Sequence, residues 1–380
     1  MKICYVNPTF LIRRPIAELI DRLGNNNDVG ILVPKKPFQR VDESWHANKA
    51  LKKAKIYSFN AVNLPFSKFE WPIPFSFMLF VHLFRIFWRY NVIHVWTYFY
   101  WHILWTMFFK LFSPRKKLIL SSDTFPGYSF NPGGITNILF KIYTKTCGWY
   151  FFSIPNKIHI YGKSMFKFAK KAGVNSKKII VIPTGIDTSK FSNAKASDRK
   201  KIGLKKSDFV LIYAGLIVPR KGIDTMLESL SKLPDKKVEL LLVGEGPSKQ
   251  EYQKMAKKLG VAERVKFLGW RHDIPELMKT SDALFLPSRG EGLPGIVMEA
   301  MAAGLPVVAS DIPCIPDLVE NDKTGFLCEE NDVRAFSTAI RKICANPKLA
   351  DKMGKGGKFK IKQFEWANII KKYKKVYETI

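Results

Sequence analysis

The sequence predicts an α/β chain of two doubly wound, Rossmann-like halves, each built on a parallel sheet. Three observations carry that expectation. The length of 380 residues exceeds one ordinary compact domain and suits two, each able to bury its own core. Short apolar runs recur between turn signals and alternate with stretches of helical pattern, as βαβ units require. After a polar segment near the middle of the chain the cycle starts afresh.

The elements follow in order. A first strand over residues 2–6 leads through Asn7-Pro8-Thr9 into a helix near 15–23, broken by Gly24 and the three asparagines after it. A second strand covers 30–33, and later apolar runs fall at 92–95, 117–120, 158–160 and 179–182. A linker is expected near 188–200, where Ser192-Asn-Ala-Lys-Ala-Ser-Asp198 is polar and helix-breaking. The second cycle reads more cleanly, with strands at 209–213, 238–243, 265–268, 283–286 and 306–309. The expected division is a first domain over 1–190 and a second over 191–363. A helix at about 364–380 is expected to pack back on the first domain. Ligands of open parallel sheets bind outside the carboxyl ends of the strands, so two such domains facing across a cleft would place the active site there.

Composition bounds the partners. An apolar share of 47% excludes bulk disorder, whereas a formal net charge of +30 calls for an anionic partner: nucleic acid, lipid headgroups or phosphorylated substrates. No nucleic-acid module is present, and the aromatic stretches carry too few interleaved arginines for a base-stacking platform, so no nucleic acid is expected. Cys4, Cys147, Cys314, Cys328 and Cys344 form no Cys-x-x-Cys pair, which predicts reduced thiols in a cytoplasmic protein without a zinc site. The N-terminus has no signal-peptide core. Aromatic residues concentrate between Phe66 and Phe152, and residues 73–90 and 92–109 have the apolar length of a span. The first of these is interrupted by His82, Arg85 and Arg89. The second divides into a strand and a separate helix over 99–112, which cannot cross lipid as one segment. A helix lying in the membrane interface, with Trp and Phe inward and Lys or Arg at the headgroups, fits this composition better. The expected location is therefore peripheral, on the inner face of the cell membrane, against an anionic surface.

The densest chemical signal is Glu291-Gly-Leu-Pro-Gly-Ile-Val-Met-Glu299. Pro287-Ser288 ends a strand, Gly290 and Gly292 make a turn, Pro294 suits a first helical turn, and Gly304 stops the helix. A helix that starts beside the end of a parallel strand offers N–H groups and a positive dipole to an anion. Glu291 precedes that helix and Glu299 lies more than a turn inside it, so the two can reach different parts of one elongated ligand. This segment resembles the Glu-x7-Glu signature of the large retaining glycosyltransferase group with the two-domain GT-B fold (family GT4). Val181-Ile-Pro183 with Gly185-Ile-Asp187 is similar to that family's domain-closing turn. Tyr213-Ala-Gly215 through Lys221-Gly222 is similar to its phosphate-binding strand and turn, Val243-Gly-Glu-Gly-Pro247 to its glycine loop, and Phe267-Leu-Gly269 to its next strand end. The likeness is dense from about 155 to 330 and sparse before that.

The resemblance implies a retaining transfer from a UDP-, GDP- or ADP-sugar, with negative charge developing on the β-phosphate as the glycosidic bond breaks. Lys221 would stabilise that charge, Glu291 would hold hydroxyls of the transferred sugar, and Glu299 would accept from the ribose. The backbone of Leu293, Pro294, Gly295 and Ile296 would cradle the diphosphate, with Gly215 and Gly244 close to the donor. The sequence departs from the pattern at several points. The family arginine falls at Leu216, leaving Arg220 to supply the second cation. The family histidine of the first domain falls at Ser122, with Asp123 beside it as a base or acceptor-hydroxyl contact. Asn7-Pro8-Thr9-Phe10 lacks the family's glycine pair, and Arg13 and Arg14 follow as possible phosphate or acceptor contacts. Pro313-Cys314 stands where a second glycine pair is common. His94 reads as a packed core histidine. No Asp-x-Asp motif occurs, so neither metal nor cofactor is required. The expected acceptor is a lipid-linked molecule or a glycan. The alternatives are a catalytically inactive nucleotide-binding scaffold and a basic nucleic-acid-binding protein.

Overall fold

The computed structural model describes residues 1–37, 51–63, 71–129, 133–234 and 237–380, so the start of the aromatic region at Phe66 lies outside the described residues. The chain divides into two units: Met1–Pro183 together with Ile369–Ile380, and Thr184–Asn368.

The first unit holds an eight-stranded sheet. Its strands are β1 (Lys2–Val6), β2 (Asp28–Lys35), β3 (Lys55–Asn63), β4 (Pro72–Pro74), β5 (Val92–Trp96), β6 (Lys117–Ser122), β7 (Lys157–Ile160) and β8 (Ile179–Val181). They lie in the order β4-β3-β2-β1-β5-β6-β7-β8, parallel except for the short β4 against β3. Neighbours change direction between β1 and β5, so this is the sheet's switch point. The helix Arg14–Leu23 joins β1 to β2, while Trp101–Leu111 and Gly134–Ser153 join β5 to β6 and β6 to β7. Right-handed crossovers running in opposite directions along the sheet put the first on one face and the other two on the opposite face. The helix Met78–Arg89 lies beside Trp101–Leu111, with Phe80 and Trp105 ring centroids 4.9 Å apart and Phe87 and Phe109 5.9 Å apart. Gly134–Ser153 lies along the other side, where the Tyr150 hydroxyl donates to the Leu104 carbonyl at 3.3 Å. The 73–90 stretch thus resolves into an edge strand and a helix, and 92–109 into a strand and a helix. No helix among the described residues is long and apolar enough to cross a membrane.

Residues 369–380, the greater part of the helix Trp366–Thr379, belong to this unit and close a buried polar network. His94 on β5 is fully buried between the Tyr377 hydroxyl at 2.8 Å and the Ser121 hydroxyl at 2.7 Å. Ser121 also reaches His159 Nδ1 at 2.6 Å, and His159 Nε2 meets the Ile182 carbonyl at 2.6 Å. Every nitrogen of the two imidazoles is occupied, so His94 is a structural histidine. Burial pushes its pKa well below the ordinary imidazole value and that of His159 down to about 4.

The second unit holds six parallel strands: β9 (Phe209–Ala214), β10 (Val238–Val243), β11 (Val265–Gly269), β12 (Ala283–Leu286), β13 (Val307–Ser310) and β14 (Gly325–Cys328). Their order, β11-β10-β9-β12-β13-β14, is that of a doubly wound dinucleotide-type sheet with its switch point between β9 and β12. Helices cover both faces, and the central strands are accordingly continuous apolar runs such as Leu240-Leu-Leu-Val243. The predicted helix runs over Gly295–Ala303 and stops at Gly304, whose φ of 91° lets its N–H reach the Ala300 carbonyl. All five cysteines are free.

Candidate active site

The carboxyl ends of β9 and β12 bring together most of the donor-side residues singled out in the sequence. Beyond β9 the chain turns through Pro219–Lys221 and leaves by Gly222 at φ 66°. A Cβ at Gly222 would run into the Pro287 carbonyl, so this left-handed, closely packed position admits glycine alone. The turn presents Lys221 to Glu291, with Nζ 2.6 Å from Oε1, and both side chains are shielded, at 14% and 7% exposure. Arg220 approaches the other carboxylate oxygen at 3.7 Å and donates to the Gly290 carbonyl. Burial draws the Lys221 pKa down, against the opposing pull of the Glu291 charge and with help from neighbouring Arg220. Two cations and one carboxylate therefore share a confined space in which an incoming anion would meet a net positive field.

Glycines let the loops beyond β9 and β10 touch backbone to backbone. Gly215 N–H donates to the Val243 carbonyl at 2.9 Å, Gly244 N–H to Gly269 at 2.8 Å, and Ile217 N–H to Glu245 at 2.9 Å. Gly244 sits at φ 134°, and a Cβ there would strike the Gly215 carbonyl. Beyond β12, residues 288–294 lead to the helix, and Pro294 occupies its N-cap. Leu293, Gly295 and Ile296 are half-buried around that first turn, where Val297 N–H donates to the Pro294 carbonyl at 3.1 Å and the N–H groups of Gly295 and Ile296 precede the first intrahelical acceptor. Glu299 lies in the next turn at 9% exposure. Leu216, at the position of the family arginine, is 59% exposed. Cys314 adopts φ 72°, a left-handed geometry in a residue other than glycine, ahead of the helix Ile315–Leu318.

Sequence reasoning missed Arg289. Its guanidinium donates to the Pro219 carbonyl at 2.6 Å, to Asp224 Oδ2 at 2.6 Å and to Asn331 Oδ1 at 2.8 Å, while its N–H donates to the Arg220 carbonyl at 2.8 Å. It fastens the Lys221 turn to the loop carrying Glu291. Only its place two residues before Glu291 hinted at this role.

In the first unit, Arg13 and Asp123 meet beyond the switch point of β1 and β5, Nη1 to Oδ2 at 2.7 Å. Asn7 shapes the loop: its Oδ1 accepts from the Arg13 N–H at 3.1 Å, and its carbonyl oxygen lies 3.0 Å from His102 Nε2. Arg14 turns instead toward Glu18, 3.8 Å away, with its side chain half exposed. Ser122 donates to the Thr124 carbonyl at 2.7 Å. Thr97, at the end of β5, holds φ 63°, a strained conformation for a β-branched residue and one that sequence reading does not reveal. No group of three or more His, Cys, Asp or Glu among the described residues is placed to hold a metal ion.

Comparison with known proteins finds likenesses to part of the sequence and to the whole fold. Residues 194–359 match the family described as Glycosyl transferases group 1. The chain is 34% identical over 220 residues to the UDP-Gal:alpha-D-GlcNAc-diphosphoundecaprenol alpha-1,3-galactosyltransferase of Escherichia coli, covering 54% of this chain and 55% of that one. It is 34% identical over 202 residues to the GDP-mannose-dependent alpha-(1-6)-phosphatidylinositol monomannoside mannosyltransferase of Mycolicibacterium smegmatis, covering 49% and 52%. The chain thus spans about half the length of the curated relatives it matches. Over the whole of both chains its fold is similar to that of Anabaena HepE in complex with UDP and glucose, with a TM-score of 0.77 at 19% identity. The fold is that of the GT-B glycosyltransferases, and the sequence match to glycosyl transferases group 1 falls on residues 194–359.

Proposed function

We propose that the protein is a retaining glycosyltransferase that moves a sugar from a nucleotide-sugar donor to a lipid-linked or glycan acceptor, without a metal ion. The observation that carries this reading is the shielded Lys221–Glu291 pair, flanked by Arg220, at the switch point beside the start of the helix Gly295–Ala303. Glu299 takes the ribose hydroxyls, the backbone around Leu293, Pro294, Gly295 and Ile296 takes the diphosphate, and Gly215 and Gly244 line the approach. On donor binding the β-phosphate becomes the partner of Lys221, and Glu291 turns its acceptor oxygens to the sugar hydroxyls. As the bond to the β-phosphate oxygen breaks, Lys221 and Arg220 stabilise the charge left on the leaving nucleoside diphosphate. Asp123, oriented by Arg13, holds the acceptor hydroxyl. The names of two relatives include a lipid-linked acceptor, which supports that acceptor class and a peripheral, cytoplasmic location here.

Exposed Leu216 at the arginine position favours one second reading, an inactive nucleotide-binding scaffold. Incubation with UDP-, GDP- and ADP-sugars and a polyprenyl-phosphate-linked acceptor, in EDTA, separates the two. Release of one nucleoside diphosphate, with an α-linked product by NMR from an α-linked donor, supports transfer with retention. Nucleotide binding without release supports the scaffold, and a β-linked product overturns retention.

A further inference from the structure

The three helices on one face of the first unit leave their outer surfaces apolar. Phe84 and Trp88 on Met78–Arg89 are 64% and 81% exposed, and Phe108 and Phe112 on and just after Trp101–Leu111 are 40% and 73% exposed. These four side chains line a groove of about 280 Å³. The third helix, Gly134–Ser153, exposes Ile135, Ile138, Leu139 and Ile142 at spacings of three and four, with Trp149 two turns on. Single exposed apolar residues are ordinary, but a patch shared by three adjoining helices marks a docking surface.

Charge identifies the occupant. Phe84 and Trp88 also border a second groove of about 580 Å³, lined by Lys2, Lys55, Arg85 and Arg89 with Tyr57. Arg89 is paired with Asp28 at 2.9 Å, whereas Lys2, Lys55 and Arg85 form no salt bridge with any described residue. From residue 71 to residue 186 the sequence carries one acidic side chain, Asp123, against fifteen lysines and arginines. An aromatic groove beside a basic one matches an acyl region beside an anionic headgroup. A protein partner would bring its own polar rim and would be expected to find acidic as well as basic groups here.

We infer that this three-helix face docks on an anionic phospholipid bilayer, with Phe84, Trp88, Phe108 and Phe112 entering the acyl boundary and Lys2, Lys55 and Arg85 holding headgroup phosphates. The inference deepens the lipid-linked acceptor reading, for which it would bring the protein to the membrane. The flotation and quenching that decide it use neither donor nor acceptor, so it can fail independently of that reading. In flotation with vesicles of phosphatidylglycerol and phosphatidylcholine, the full chain is expected to float, and to stay behind with phosphatidylcholine alone or at 1 M salt. Trp88→Glu with Phe112→Glu, and separately Lys55→Glu with Arg85→Glu, are each expected to weaken flotation at least tenfold. Their unfolding midpoints and their turnover of a short water-soluble acceptor should not change. Brominated lipid is expected to quench the tryptophan fluorescence of the unaltered chain and to quench the Trp88→Phe variant less. Flotation indifferent to both double variants overturns the inference. So does a chain that is dimeric in solution and becomes monomeric on Trp88→Glu, because a second copy would then be the occupant.

Discussion

At the residue scale, chemistry concentrates where an ion pair is shielded from water. In the proposed function Lys221 and Glu291 neutralise one another only until the donor arrives, because a diphosphate carries more charge than one carboxylate. Lys221→Ala is expected to lower kcat by about 10²–10³, the range for removing one preorganised group that meets developing charge, with little change in unfolding midpoint. Stopped assays of nucleotide release check it, and near-normal kcat would remove Lys221 from the chemistry. Gly222→Ala addresses the same turn through the backbone. A methyl group there would strain φ 66° and meet the Pro287 carbonyl, so both stability and donor affinity should drop. A thermal scan with and without nucleotide measures both. Gly222 was legible from its neighbour Lys221, whereas the Arg289 clamp was not. Its partners Pro219, Asp224 and Asn331 lie up to 70 residues away, and no local pattern announces such a convergence.

At the element scale, the strands buried on both faces were the readable ones. β1, β10 and β12 fall where their apolar runs predict, because a central parallel strand needs an unbroken run and turns bound it tightly. The structure adds β3, β4 and β14, none of them expected. β3 mixes Lys, Ser and Asn into its run, β4 is three residues with two prolines, and β14 begins at a glycine lying flat against Val307. Their pairing is set by neighbours rather than by composition. The polar network under the C-terminal helix was equally hidden, since Tyr373 and Tyr377 lie more than 200 residues from His159 and His94 in sequence.

That network gives a stability prediction with a sign. His94 and His159 are held neutral, with folded pKa values below the unfolded value of about 6.5. As pH falls from about 6.5 toward 4, the unfolded chain takes up protons that the folded chain refuses, so stability falls. Denaturant titrations of the first unit's tryptophan signal at pH 7 and pH 5 should show the lower midpoint at pH 5, and equal midpoints would contradict the buried assignment. Tyr377→Phe removes the partner of His94 Nδ1 and should cost about 1–3 kcal/mol at pH 7. A cost near zero in the same titrations would mean that the contact is not maintained in solution.

At the scale of the whole molecule, the two units differ in how much of their purpose the sequence displayed. The second carries its motifs in order and at family spacing, as the proposed function requires if every donor presents a diphosphate and a ribose to the same switch point. The first would, on the same proposal, suit one acceptor, and its distinguishing features are Arg13 set on Asp123, the strained Thr97 and the aromatic helical face. None of these has a sequence pattern of its own, apart from the aromatic density. The net charge of +30 was legible at once, and the structure sets a small part of it, Lys2, Lys55, Arg85 and Arg89, beside exposed tryptophan and phenylalanine.

The central claim is that the second unit binds a nucleotide-sugar donor through Glu299 and the Lys221 turn. Titration calorimetry of UDP, GDP and ADP against the unaltered chain and Glu299→Ala, without metal, tests it most directly. The account predicts that one nucleotide binds the unaltered chain and that Glu299→Ala, still folded, loses that binding. No binding by any of the three, or equal affinity in the variant, would contradict it.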